Sequence, residues 1–227
     1  MKPRLITTNE RTTNQMKRNK QSMKTLHPTL LGKVLMAFLM AGLPAAHAHA
    51  ASTEFTTEPD KTMAAAQESF IKGDTKKAGE EIDKAADYVK KQSQHVFEGS
   101  KAEMDKAGAQ LDKLGEGVKR GTVKSDEELK KSFAKVDHQM ADCWHKTAAE
   151  SKRLGKDSTA DLKKAGDSLE GAAKWSGHQL DEGTQKSVDA VKKADKDAEK
   201  GVKADAADVD NWFKSLGHGI ADLADKL

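Results

Sequence analysis

The sequence predicts an all-α protein, built as a bundle or an elongated antiparallel stack of amphipathic helices. Three observations predict it. Beyond Pro59 there is no proline, and alanine, lysine, aspartate and glutamate dominate, a mixture that favours helix. Apolar residues recur every three or four positions over long stretches, which lines them along one side of a helix. The runs are punctuated by glycine, followed closely by side chains suited to cap a helix N-terminus.

The first fifty residues stand apart. Lys24 and Lys33 supply positive charge, "LLGKVLMAFLMAGLPAA" an apolar segment and "AHAHA" the small residues a signal peptidase requires. Residues 1–50 therefore read as a signal peptide cleaved near Ala50. The apolar segment is shorter than the roughly 20 residues that span a bilayer. Upstream of Met23 the chain is polar and basic, as an over-long extension would be if translation starts at Met23. The expected location of the remainder is the periplasm, or another compartment reached by export.

Without the leader the charge changes sign. The chain carries 39 basic and 36 acidic residues, of which eight and one lie in residues 1–50, so residues 51–227 have a net charge of −4. A mildly acidic chain with interspersed signs has no basic stripe to neutralise phosphates, so no nucleic-acid partner is expected. Leu, Ile, Val and Phe make up roughly 15% of this part, below the ~20% at which chains begin to look disordered. Alanine must then supply much of the buried surface, and a thin core with a broad thermal transition is expected.

The elements follow in order. Residues 51–60, "ASTEFTTEPD", form a flexible lead-in to a helical domain over 61–227. A helical hairpin is expected over 61–120, with Gly73 as the break and Asp74 as the N-cap of its second helix. That second helix should run on through Ile82, Val89, Val96, Met104, Leu111 and Val118 until Gly121 stops it. Further amphipathic helices occupy 125–227. Ser125 and Glu128 form a capping box for the next helix, whose single stripe is Leu129, Phe133, Val136, Met140, Cys143, Thr147 and Leu154. Gly155 with Asp157 or Ser158, and Gly183 with Thr184, mark two more starts, giving roughly six helices. The last stripe runs from Val202 through Val209, Phe213, Leu216, Ile220 and Leu223 to Leu227.

Positions 29 apart share character, which suggests degenerate tandem repeats. Lys77, Lys106, Lys135, Lys164 and Lys193 form a lysine column, and Met104, Phe133, Leu162, Val191 and Ile220 an apolar one. "KKAGEEIDKAADYV", "DKAGAQLDKLGEGV" and "KKAGDSLEGAAKW" share the KAG triplet. The pair from Lys61 to Val89, with Ala66, Phe70, Gly73, Ala78, Ile82 and Ala85, resembles a tetratricopeptide-type helix-turn-helix over fewer than thirty residues. It lacks that family's tryptophan, tyrosine and closing proline; the resemblance implies partner binding. The remainder resembles, in composition alone, the lysine- and alanine-rich helices of late-embryogenesis-abundant and apolipoprotein-like proteins.

The chemistry-bearing residues are few. No nucleophile stands beside a base and no G-x-x-x-x-G-K-[ST] loop is present, so neither an enzyme nor a cofactor is expected. The stretch "HQMADCWHK", residues 138–146, holds the lone cysteine. His138, Asp142 and His145 share a helix face and are residue types that suit zinc, copper or iron, which makes a periplasmic metal-buffering protein a second reading. Heptad register sends Met140 and Cys143 inward and both histidines out to solvent. "CWH" lacks the second cysteine that covalent haem attachment needs, and a disulfide-linked dimer through a buried Cys143 is disfavoured. Trp212, Phe213, Leu216, Ile220 and Leu223 form the apolar side of the last helix, which docks within the fold or on a partner. A lipid-associated protein is a third reading, but Asp205, Asp208, Asp210, Asp222 and Asp225 oppose anionic membranes, so a membrane surface is not favoured. The leading expectation is a non-enzymatic exported protein that works by helix-mediated binding in the cell envelope, with a stress-protective role and an unidentified protein partner.

Overall fold

The computed structural model describes Phe55 and residues 57–227. The expected signal peptide over 1–50, the Met23 start and half of the lead-in lie outside the described residues. Seven α-helices follow one another: α1 (Asp60–Ile71), α2 (Thr75–Gln92), α3 (Lys101–Lys119), α4 (Asp126–Arg153), α5 (Thr159–Ser176), α6 (Glu182–Ala198) and α7 (Ala206–Ala224). A 3-10 turn, Glu98–Ser100, precedes α3. There is no strand among the described residues, and the helices pack as a bundle. No described helix is long and apolar enough to cross a membrane.

Several boundaries form as local chemistry dictates. Asp74 caps α2 by accepting the Lys77 amide at 3.0 Å. Ser125 Oγ accepts the Glu128 amide at 3.2 Å, while Glu128 accepts the Lys124 amide at 3.0 Å, a capping box closed one residue upstream. Asp126, Glu127 and Glu128 then fill the first turn of α4, where the helix dipole favours negative charge.

Three expectations are corrected. The long second helix is two helices, so 61–120 holds three helices instead of a hairpin. Its break, Ser93–Phe97, contains neither glycine nor proline; it is held by Ser93 Oγ donating to the Lys90 carbonyl and by the Phe97 amide donating to Thr147 Oγ1 on α4. Only a tertiary partner supplies that second bond. Next, α5 ends at Gly177, whose φ of 73° is accessible to glycine at little cost, and α6 is capped by Asp181 accepting the Thr184 amide, so Gly183 lies inside α6. Finally, Val202 is 57% exposed and lies outside α7, which starts after Asp205.

Packing is close where side chains are small. A Cβ on Gly79 would sit 3.0 Å from the Gly115 carbonyl oxygen, and one on Gly115 would sit 3.3 Å from that of Gly79, so the backbones of antiparallel α2 and α3 nearly touch. One buried cluster joins Met63, Ile82, Met104, Leu111, Leu129, Phe133, Met140, Trp144 and Trp175. A second joins Leu162, Leu169, Val188, Val191, Leu216 and Leu223, with Ala141 and Ala148. Residues of α4 enter both clusters, so its buried surface is wider than the single stripe expected. The apolar column Met104, Phe133, Leu162, Val191 and Ile220 is buried throughout. Trp144 and Trp175 are buried and Trp212 half-buried.

Candidate functional site

The two histidines of "HQMADCWHK" face α7, not solvent. His138 Nε2 lies 2.8 Å from the Ile220 carbonyl oxygen and His145 Nε2 lies 2.9 Å from that of Phe213. A carbonyl only accepts, so each ring donates its Nε2–H. The seven-residue spacing on α4 meets the same spacing on α7, read in the opposite direction, which sets the register of the two helices. His145 also stacks on the Phe213 ring at 4.0 Å, and a Cβ on Gly217 would approach its Cε1 to 3.1 Å. The outward placement failed because it assumed one buried stripe on a helix packed by α3, α5 and α7.

Asp142, the third residue of the metal reading, pairs instead with Lys146 at 2.7 Å, and Lys146 also reaches Glu103 at 2.8 Å. Among the described residues no three histidine, cysteine, aspartate or glutamate side chains are placed to hold a metal ion. Cys143 is buried; its thiol points at the Ser100 carbonyl and is pushed up to about 12, chiefly by burial, which keeps it protonated and unreactive. Leu216, Ile220 and Leu223 are buried in the second core, while Trp212 and Phe213, like Val209 of the same stripe, are half-exposed.

The structure brings together a polar centre that the sequence reading missed. Asp60, the first residue of α1, and Asp137 of α4 are both buried. A Cβ on Gly171 of α5 would lie 2.6 Å from Asp137 Oδ2 and 2.7 Å from Asp60 Oδ2, so the two carboxyl groups converge over that glycine. Trp175 Nε1 donates to Asp60 Oδ1 at 2.6 Å, and its ring stacks on Phe55 with centroids 4.4 Å apart. Both Asp137 oxygens lack any donor among the described residues. Burial, then the Asp60 charge beside it, pushes the Asp137 carboxyl well above the ordinary range; burial likewise raises Asp60, against the hydrogen bond from Trp175.

A cleft of about 360 Å³ opens nearby, lined by residues of α4, by the end of α5 and by the end of the chain. Lys130, Lys131, Lys174, His178 and Lys226 line it, with Trp175 and Leu227 as apolar surface and Glu127 as its one acidic side chain. Lys130 pairs with Asp126 at 3.3 Å and Lys226 with Asp222 at 2.6 Å, while Lys131 and Lys174 have no ion-pair partner among the described residues. In an acidic chain, this is a local concentration of positive charge around an apolar surface. No protein-family model, curated protein or solved structure matches this chain.

Proposed function

We propose that this chain is a non-enzymatic, exported helical protein that works by binding in the cell envelope, and that the cleft takes an acidic segment of a protein partner. The observation that carries the reading is the cluster of lysines around Trp175 and Leu227. Concave sites with an apolar surface and a few convergent charges are where ligands bind. Unpaired Lys131 and Lys174 would gain counter-charges, and an apolar residue of the partner would cover the exposed edge of Leu227. The metal-buffering reading has less support, because His138 and His145 already serve the seam with α7.

The test is fluorescence anisotropy with a labelled aspartate- and glutamate-rich peptide bearing one leucine. Saturable binding, weakened about tenfold or more by Lys131→Glu combined with Lys226→Glu, supports the reading. Binding that charge reversal leaves unchanged, or none tighter than about millimolar, overturns it.

A further inference from the structure

We propose that Asp60 and Asp137 form a buried proton-binding site, in which one proton is shared between the two carboxyl groups and latches α1 onto α4 and α5. Hydrogen-bond accounting carries the inference. As two bare carboxylates, the pair would put two negative charges together with Trp175 Nε1 as their one donor among the described residues. An uncompensated buried charge is strongly unfavourable, and two carboxylates in one dry site do not both ionise. One proton resolves both problems: the Asp137 hydroxyl donates to the Asp60 carboxylate, which also accepts from the indole.

Among the described residues no competing cation is in contact with the pair. From α5, Lys174 and Asp167 act on Asp60 only through space and with opposite effect. From α6, Lys192 faces the small polar depression beside Asp60, but it is already paired with Glu170 at 2.6 Å and Asp167 at 3.4 Å. Phe55 and Thr57 complete that depression, through which the proton exchanges with water.

Asp137 and Gly171 meet across the α4–α5 interface. In the columns 29 residues apart, Gly79, Gly108 and Gly166 share the position of Asp137, and so does Asp195. Gly171 stands where Lys84, Lys113, Asp142 and Lys200 stand, and a Cβ there would press on both carboxyl groups.

The consequence has a definite sign. Because the folded pair holds its proton above the range near pH 4 in which an unfolded aspartate loses it, the folded state binds more protons. Its contribution is fully present at and below that range and is lost as pH rises through the raised value. Alkalinisation, not acidification, loosens the start of α1 and unstacks Phe55 from Trp175.

Infrared spectroscopy of the full protein at about pH 7 tests this directly. A protonated-carboxyl stretch that disappears in Asp137→Asn is expected. A wild-type spectrum without it overturns the proposal, and needs no variant to fold. Thermal melts give the second measure. Between about pH 5 and about pH 8 the wild-type midpoint should fall by more than about 3 °C, and Asp137→Asn should remove most of that fall. The same fall in both proteins, or a midpoint raised by calcium or magnesium in place of acid, overturns the shared proton. None of these measurements involves the lysine cleft.

Discussion

On one side of α4, Asp137 meets Asp60 of α1 over Gly171; on another, His138 and His145 reach the backbone of α7. The first contact joins like groups and depends on a proton. The second joins donors to acceptors and is complete whether or not the imidazoles are charged, since each Nε2 carries hydrogen in either form. Two other acids are held in the opposite electrostatic sense. Hydrogen bonds from the Thr184 hydroxyl and amide pull Asp181 below the ordinary range; at Glu170 burial is outweighed by the Lys192 ammonium and the Gln185 amide together. The Asp60–Asp137 pair and these two acids should therefore respond to pH with opposite sign.

The largest way to break this comparison is Phe133→Ala. Phe133 is fully buried and meets Trp175 edge-on with centroids 4.9 Å apart, so truncation removes the wall behind the indole that serves Asp60. A loss of about 3–5 kcal/mol is expected from denaturant unfolding. Hydrogen exchange should quicken in α1 before α7.

An intermediate effect is expected from His138→Ala combined with His145→Ala. Each substitution removes one side-chain hydrogen bond, worth about 1 kcal/mol. Amides of α7 should exchange faster while those of α2 and α3 keep their protection. Equal loosening everywhere would mean that the two histidines do not set the α4–α7 register.

The smallest is Asp181→Ala, which removes the N-cap of α6 at a cost of about 1 kcal/mol. Because the folded Asp181 carboxyl lies low, its contribution is present above the range near pH 4 and is lost as pH falls through its lowered value. The difference in melting midpoint between wild type and Asp181→Ala should thus shrink on acidification. The difference between wild type and Asp137→Asn should change on alkalinisation.

Much of the architecture is written locally. Gly73 with Asp74, Gly121 with Ser125, and Gly155 all stand at breaks, because a cap needs only residues within one turn of itself. The break at Ser93–Phe97 was illegible because its closing bond comes from Thr147, fifty positions away. The α6 start was misplaced because Thr184 is a good capping type, yet Asp181 three residues earlier captures its amide. The candidate sites were less legible still. His138 and His145 have metal-ligand spacing, but i and i+7 spacing also fits a facing helix of the same period. Asp60 and Asp137 are ordinary members of an acid-rich chain, and nothing in their spacing marks them as a pair.

By itself the sequence determined that the chain is all-α, where most helices begin and end, and which residues supply the apolar columns. Propensity, capping and periodicity act within a few turns and need no knowledge of neighbours. Only the tertiary structure decided which helix sides are buried twice, that the histidines serve a seam, and that two acids separated by 77 positions share one buried site. Burial and the identity of the nearest partner are properties of the packed bundle, and they set what a polar side chain does there.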